Sequence, residues 1–516
     1  MNARPLPALR PALRPVVAAL AALLPALDAG AALPAALRDP SPIDLAVQVT
    51  RRGELVHGLG AADFRLRVDG REVAIDDLLE VVAGRASGAS GSPVPQRYLV
   101  FVDDLFSVPV QRNRLLDQLA QQLDQLAPAD RMAIVAFDGR RLAVLSDWSR
   151  SLIQLRGALA AAQRRPSYGL ERLAEQRQEE ATYRLFDPRG LPPGVNRFGG
   201  GRPLDAEPRL SQRRSRQLSA QLGSLASAAS AAVEGLEAPP GGRRVLLFVA
   251  GSWPVSADFQ LMLLDVGGGS AQKLFAPLVE SADQRSYAIY PLRVPTFSST
   301  GTRGAIGART RLPADDPQAR LLHHLAAETC GLALVDDLGR GALRRVIEDS
   351  GSYYRLRFTP AWRHDDRRRR LEVDVRQRGL RVRVRPGLAD PSRHSRIARL
   401  VESARWLDKP PPGADALGVD VGRGADGDVV LTLRIRPEAV AAAAVLELRV
   451  APLDEAQGWR PPLAVERLAP ISLASRDGRL VHATRLSLRQ PPPGFLVSLY
   501  DPVAGTLLAR PVMVDH

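Results

Sequence analysis

Lysine and cysteine are the residues that this chain of 516 amino acids has least of. Lys273 and Lys409 are its only lysines, and because neither follows a glycine, a P-loop for nucleotide phosphates is excluded. Cys330 is the sole cysteine, so no disulfide can form within the chain and no cysteine cluster can hold a metal ion. A G-x-S-x-G hydrolase motif is also missing. We therefore expect a non-enzymatic protein.

Aromatic residues make up only 5% of the chain, so its cores must be built from Leu, Val and Ala. The formal net charge of +14 comes almost entirely from arginine. A nucleic-acid-binding protein gathers its positive charge on one face, whereas these arginines are scattered among acidic residues. We expect no nucleic-acid partner.

The first 31 residues have the pattern of a signal peptide. Arg4, Arg10 and Arg14 precede an apolar stretch over 16–27, and Ala29-Gly30-Ala31 fits a small-residue cleavage site. The stretch is too short to cross a membrane, and no later one reaches that length. We expect a periplasmic or secreted protein whose mature chain has no transmembrane segment; the alternative is a disordered leader rich in Ala, Pro and Leu.

The chain length predicts roughly two to four domains. Apolar residues alternate with polar ones over 43–49 and 64–75, which predicts a small N-terminal β unit over 40–83. A Gly/Ser-rich linker over 84–95 follows. Beyond the middle of the chain, short strands predict a β-hairpin extension over 351–390 and a C-terminal β-sandwich over 414–516.

The middle of the chain, residues 96–350, alternates short apolar runs with helical patterns. The runs are Tyr98–Val102, Met132–Phe137, Val245–Ala250, Ser286–Leu292 and Gly331–Val335. Strands that read this way are buried on both faces, and their alternation with helices predicts an α/β fold with a doubly wound, mostly parallel sheet. One stretch, 163–211, is polar and rich in arginine, and we expect it to be a disordered or irregular insertion.

The strand Tyr98–Val102 stops abruptly at Asp103-Asp104-Leu105-Phe106-Ser107. In open α/β sheets, ligands bind just beyond the carboxyl ends of the strands, so acidic residues at this point indicate a site. Asp104 and Ser252 could also supply oxygen ligands to a metal ion at such a site. Bracing of loops or capping of the next helix is the structural alternative for the two aspartates.

Residues 43–390 resemble a family of bacterial exported proteins, of the acidobacterial type, with a von Willebrand factor type A-related domain. The resemblance lies in the stretches 53–75, 98–107 with 126–137, and 325–337 with 349–360 and 367–387. It implies a von Willebrand A or Rossmann-like fold. It also implies a metal-ion-dependent adhesion site that begins with Asp-x-Ser-x-Ser, followed by a threonine in a second loop and an aspartate in a third.

Much of that adhesion site is missing from this chain. The first loop keeps Asp103 and Ser107 as metal ligands but has Leu105 in place of a hydroxyl. No threonine precedes the helical pattern over 211–236, and the third loop reads Ala250-Gly251-Ser252 where an aspartate is expected. We expect a degenerate site that binds neither Mg²⁺ nor another cofactor.

The pattern of the first 31 residues predicts export, and the family resemblance implies a protein that mediates protein–protein interaction at the cell envelope. The predicted partner-binding residues are Asp103, Asp104, Ser107 and Ser252. The alternative is a protein that binds anionic envelope polymers through the arginine-rich insertion and the loop arginines Arg367–Arg370. Binding to a polyanion falls steeply with salt, which separates the two hypotheses.

Overall fold

The computed structural model describes residues 42–87, 91–186, 207–253, 269–294, 317–335, 341–407, 415–424, 428–442, 444–453, 462–488, 490–503 and 506–514. The predicted signal peptide over 1–31 lies outside these residues. None of the helices in the described ranges is long and apolar enough to cross a membrane.

A five-stranded sheet forms the centre of the chain. Its strands are β7 (Gln96–Asp103), β8 (Arg131–Phe137), β9 (Leu142–Ser149), β10 (Arg243–Ala250) and β11 (Tyr287–Arg293), in the order β11-β10-β7-β8-β9. Strands β11, β10, β7 and β8 are parallel to one another, and β9 is antiparallel to β8. Every residue of β7 is buried, as expected for the middle strand of a sheet covered on both faces.

Helices cover both faces of this sheet. On one face lie α1 (Pro109–Gln121), α2 (Leu152–Arg164) and α7 (Ala342–Ser350), with core residues such as Leu116 and Leu155. On the other lie α4 (Glu207–Gly235), α5 (Gly269–Arg285) and α6 (Pro317–Glu328), with core residues such as Leu222 and Phe275. Both cores are largely aliphatic, as the low aromatic content predicted.

The expected fold class, an α/β protein with a doubly wound and mostly parallel sheet of the von Willebrand A or Rossmann-like type, is wrong for this chain. Of the five sheets in the described ranges, four are antiparallel throughout and the central one is mixed. Many of the strands are joined by tight turns, such as Val68 to Arg71 and Arg476 to Arg479, and only antiparallel neighbours can be joined in this way. Antiparallel pairing therefore dominates the molecule.

The first β-sandwich is built from two segments of the chain, one before and one after the segment that forms the central sheet. One layer has the order β14-β1-β12-β5-β6, with β2 paired to β1, and the other has the order β15-β13-β3-β4. The strands are β1 (Ile43–Arg51), β2 (Glu54–Leu55), β3 (Phe64–Val68), β4 (Arg71–Val73), β5 (Asp77–Val82), β6 (Arg85–Ala86), β12 (Tyr353–Phe358), β13 (Arg367–Val375), β14 (Arg381–Arg383) and β15 (Gly387–Asp390). The predicted N-terminal unit and hairpin extension thus pair with each other, and Val47, Phe64 and Leu356 share one core.

Two further antiparallel sheets form the C-terminal β-sandwich, in the orders β16-β17-β21-β20 and β19-β18-β22-β23. The strands are β16 (Leu417–Arg423), β17 (Val429–Ile435), β18 (Leu446–Leu453), β19 (Ala464–Leu468), β20 (Ala474–Arg476), β21 (Arg479–Leu486), β22 (Gly494–Asp501) and β23 (Thr506–Met513). Helix α8 (Arg393–Trp406) connects this sandwich to the rest. It packs on α4 and places Ile397 and Leu400 against Tyr500 of β22.

Part of the predicted insertion over 163–211 is helical. Helix α2 runs to Arg164, α3 covers Gly169–Phe186, and α4 begins at Glu207; residues 187–206 lie outside the described ranges. Helix α3 is rich in Glu, Leu, Arg, Ala and Gln, which are strong helix formers and need no apolar stripe to form an exposed helix.

Candidate functional site at the carboxyl edge of the central sheet

Asp103 is the last residue of β7 and lies under the loop that follows β10. Its Oδ1 accepts a hydrogen bond from the backbone N–H of Phe106 at 3.0 Å, and its Oδ2 accepts one from the N–H of Gly251 at 2.9 Å. The side chain is completely buried. Asp103 therefore ties together the loops after two neighbouring strands.

Burial determines the ionisation of Asp103. Loss of hydration disfavours the carboxylate and raises the pKa of Asp103 to about 7, although the N–H groups of Phe106 and Gly251 oppose the rise. The neighbouring Asp104 adds a smaller contribution in the same direction as burial. The N–H groups of Phe106 and Gly251 therefore stabilise the carboxylate form of Asp103, which burial disfavours.

Asp104 is bound by two arginines. Arg112, on α1, places NH1 at 2.6 Å from Oδ1, and Arg165, just beyond α2, places Nε at 2.8 Å from Oδ2. Asp104 and Arg112 are 0% and 1% exposed, whereas the Arg165 side chain is 22% exposed. Burial raises the pKa of Asp104, and the two guanidinium groups oppose that shift.

Arg112 also holds the backbone at the end of α2. Its NH2 donates to the carbonyl oxygens of Gln163 at 3.0 Å and Arg165 at 2.9 Å. Helix α2 ends at Arg164 because Pro166 disfavours a helical conformation for the residue before it, and Arg165 is extended. The end of α2 is therefore fixed against the acidic edge of the sheet.

Residues 165–169 form a segment, here called the strap, that crosses over Ser107. The Ser167 hydroxyl donates to the Ser107 carbonyl oxygen at 2.7 Å, and the Gly169 N–H donates to the same oxygen at 3.1 Å. The Tyr168 N–H donates to the Asp104 carbonyl oxygen at 2.8 Å. A side chain at Gly169 would place Cβ only 2.4 Å from the Ser107 carbonyl carbon, so this close crossing requires glycine.

All four predicted contact residues lie close together but are buried. Asp103, Asp104 and Ser107 are 0% exposed and Ser252 is 6% exposed. The Ser252 hydroxyl donates to the Val294 carbonyl oxygen at 2.9 Å, whereas the Ser107 hydroxyl is buried with no hydrogen-bond partner among the described residues. In this arrangement none of the four presents surface to a partner.

The arrangement is a poor fit for a divalent cation. Each of the four carboxylate oxygens of Asp103 and Asp104 already accepts a hydrogen bond from a backbone or guanidinium donor. Leu105, which replaces a hydroxyl of the resembled site, is buried in the core. Across the described ranges, no group of three His, Cys, Asp or Glu side chains is placed to hold a metal ion. The absence of a cofactor stays a prediction.

Sequence reasoning missed Arg112, Arg165 and also Asp138, whose Oδ2 lies 3.5 Å from NH2 of Arg165. A signal for Arg112 was present, because it lies on the same helical face as Leu115, Leu116 and Leu119, where an arginine must have a buried partner. No local signal links Arg165 to Asp104, since 61 positions separate them.

A second acidic centre lies between α5 and the first β-sandwich. The Asp283 side chain is completely buried; its Oδ2 is 2.8 Å from Nε of Arg368, and the Arg385 guanidinium donates to the Asp283 backbone carbonyl at 2.9 Å. Burial raises the pKa of Asp283 to about 6, and the positive charges of Arg368 and Arg385 oppose the rise. This centre fastens the sandwich to the helices of the central sheet.

The arginines Arg367–Arg370 of the alternative hypothesis lie on β13 and not in the expected loop, and they take part in these contacts. Arg368 pairs with Asp283 and Glu328, Arg369 pairs with Asp390, and Arg370 pairs with Glu372. Three of the four arginines in 367–370 are thus engaged within the molecule, which lowers the charge they offer to a polyanion.

Comparisons with known proteins give little beyond this geometry. No family model matches the chain, and no curated protein matches it. Matches among solved structures include the human COPII-coat protein Sec24c, with 11% sequence identity and a TM-score of 0.24. That match covers 61% of this chain and 48% of Sec24c, so it spans about half of that protein. A likeness this low supports no inference about the present chain.

Proposed function

We propose that this is a non-enzymatic protein that binds a protein partner at the cell envelope, through the surface around the strap. The observation that carries the proposal is a pair of exposed aliphatic side chains beside the buried acidic centre. Val110, in the first turn of α1, is 51% exposed, and Leu170, in the first turn of α3, is 53% exposed. Ser107, two residues before α1, is bonded through its carbonyl to Gly169, so the two helix starts adjoin.

Such a surface suits a protein partner better than a polymer. Apolar side chains that are exposed together and rimmed by polar groups mark sites of protein interaction. The first turns of α1 and α3 flank the strap, and Arg165 lies at the same edge with part of its guanidinium accessible. Arg368, Arg369 and Arg370 of the alternative hypothesis are instead paired with carboxylates. The envelope location rests on the pattern of residues 1–31, and N-terminal sequencing of the native protein tests it.

The test compares matched charge substitutions. Val110→Glu and Leu170→Glu place a carboxylate in the surface around the strap, and Ile153→Glu is the control because Ile153 is 85% exposed on the first turn of α2, at the opposite edge of the sheet. Partners are captured from the envelope fraction by cross-linking at two salt concentrations. We expect the first two variants to lose a partner that the wild type and Ile153→Glu retain, with little dependence on salt. Equal capture by all variants contradicts the proposal, and capture that disappears with salt supports the polymer hypothesis instead.

A further inference from the structure

The Arg165 side chain lies between two carboxylates that belong to different strand ends. Its Nε is 2.8 Å from Oδ2 of Asp104, and its NH2 is 3.5 Å from Oδ2 of Asp138, the residue after β8. A planar guanidinium can bridge two carboxylates in this way, whereas an ammonium group has no comparable fork. Asp104 and Asp138 therefore form a pocket for a guanidinium group, and the side chain of Arg165 occupies it.

Arg165 supplies one of the two positive charges that face the acidic groups of this pocket. Asp103, Asp104 and Asp138 supply three carboxyl groups, and Arg112 and Arg165 supply the two guanidinium groups that contact Asp104. Without Arg165, a single buried cation would face the three acids. The Ser107 hydroxyl, completely buried and without a partner among the described residues, adds an unused hydrogen-bonding group beneath the strap.

The two arginines differ in how firmly they are held. Arg112 is 1% exposed and bonds to the carbonyls of Gln163 and Arg165 in addition to Asp104, so it is part of the fold. The Arg165 side chain is 22% exposed, and within the described ranges its guanidinium forms ion pairs only with Asp104 and Asp138. Its guanidinium can leave by side-chain rotation, while Arg112 keeps hold of its backbone carbonyl.

We propose that Arg165 is an internal plug in a guanidinium-binding pocket formed by Asp104 and Asp138, and that an arginine side chain of the protein partner takes its place. This inference rests on the proposed function, because it names the group by which the partner is recognised at the same surface. The apolar pair Val110 and Leu170 supplies the surrounding contact. The pocket supplies charge and geometric specificity.

The test measures binding of L-arginine amide, by titration calorimetry at constant ionic strength, to the wild type and to Arg165→Ala. Arg165 competes with the probe as an intramolecular ligand at an effective concentration of about millimolar order, so for an intrinsic Kd of about 0.1 mM its removal should strengthen binding by about tenfold. Arg156→Ala is the matched control, because Arg156 pairs with Asp124 at 2.7 Å on the exposed side of α2. It should bind the probe no better than the wild type.

Two further arms test the identity of the pocket. Asp138→Asn retains the Oδ1 atom that accepts hydrogen bonds from the N–H groups of Arg140 and Arg141 but removes the charge. In the Arg165→Ala background it should weaken binding of the probe severalfold. L-lysine amide should bind Arg165→Ala several times more weakly than L-arginine amide.

The inference is overturned if a folded Arg165→Ala binds L-arginine amide no better than the wild type, or if L-lysine amide binds equally well. Should Arg165→Ala fail to fold, Arg165→Gln replaces it, because glutamine keeps an N–H donor for Asp104 without the charge, and it must still bind the probe more tightly than the wild type does. No partner protein enters this experiment. Loss of partner capture in Leu170→Glu together with no gain in Arg165→Ala therefore refutes the plug and leaves the proposed function standing.

Discussion

Replacement of Arg112 by methionine tests the central claim that an internal ion pair holds the carboxyl edge together. Methionine has a similar length, suits a helix and carries no charge. The substitution removes the 2.6 Å contact with Asp104 and both hydrogen bonds to the end of α2, at Gln163 and Arg165. Asp104 keeps Arg165 as its remaining partner.

The magnitude follows from the burial of the pair. Removal of one member of a buried ion pair costs about 3–5 kcal/mol, because the other charge stays desolvated without full compensation. A domain of the size of the central unit loses roughly 2–4 °C of melting temperature per kcal/mol, so we expect a decrease of roughly 6–20 °C. Asp104→Asn alone leaves Arg112 buried without its counter-charge and should also destabilise. The double variant should lose less than the sum of the two, because neither charge then remains unpaired.

Tryptophan fluorescence during thermal and urea unfolding reports on the central unit, since Trp253 and Trp406 lie in its core. Arg114→Met is the control, because Arg114 is exposed on the same helix, and it should change stability by less than about 0.5 kcal/mol. If Arg112→Met lowers stability by no more than Arg114→Met, or if the double variant shows purely additive losses, Arg112 does not hold Asp104 and the account of the edge is refuted.

Three other measurements test neighbouring parts of the structure. Gly251→Ala would place Cβ 2.2 Å from the carbonyl carbon of Phe106 and should lower stability by about 3 kcal/mol in urea unfolding, whereas Gly223→Ala, at a helical glycine with open space around Cβ, should raise it by up to about 1 kcal/mol. Because the folded pKa of Asp283 is raised to about 6 from an ordinary value of 3.8, the folded state binds more protons between these values, and the stability contributed by this group is lost as pH rises from about 4 to about 6. The melting temperature of Asp283→Asn relative to the wild type should therefore increase over that range and level off above it; parallel curves would contradict the assignment. Millimolar Mg²⁺ should leave the melting temperature unchanged, since the carboxylate oxygens of Asp103 already accept backbone N–H groups, and a rise of several degrees that disappears in Asp103→Ala would show the opposite.

Short-range features of the fold were readable from the sequence. The apolar runs at Tyr98–Val102 and Val245–Ala250 lie in β7 and β10, and Asp69-Gly70 forms the tight turn between β3 and β4, with positive φ at both residues. These features depend on local burial and turn chemistry. The overall class was wrong because strand direction is a long-range property: β1 pairs with β12, about 300 positions away, and no local pattern reveals such a pairing.

The position of Asp103 and Asp104 in the fold was readable from the sequence, but their surroundings were not foreseen. Asp103 and Asp104 follow an apolar strand, and that pattern alone places them at the carboxyl end of β7. Their burial depends on Arg165 and the strap, which the sequence assigned to an irregular insertion. A polar segment can be fixed by backbone hydrogen bonds, such as that from Gly169 to Ser107, without any apolar periodicity.

The assembly of the first β-sandwich from two distant segments gives a last prediction. The chain leaves the sandwich at Ala86 and returns at Gly351, and these points adjoin, because the Gly84 N–H donates to the Gly351 carbonyl oxygen at 2.8 Å. A short Gly/Ser linker can therefore replace residues 88–350 at little cost in loop-closure entropy. The shortened chain, 42–87 joined to 351–391, retains the whole core around Val47, Phe64 and Leu356.

We expect this shortened chain to unfold cooperatively by circular dichroism and to show dispersed amide resonances. Val47→Asp, which places a charge in that core, should abolish both signals, whereas Arg381→Asp, at an exposed position of β14, should not. A shortened chain without cooperative unfolding would mean that the sandwich depends on contacts such as Arg368 with Asp283, so that the two units form one cooperative structure.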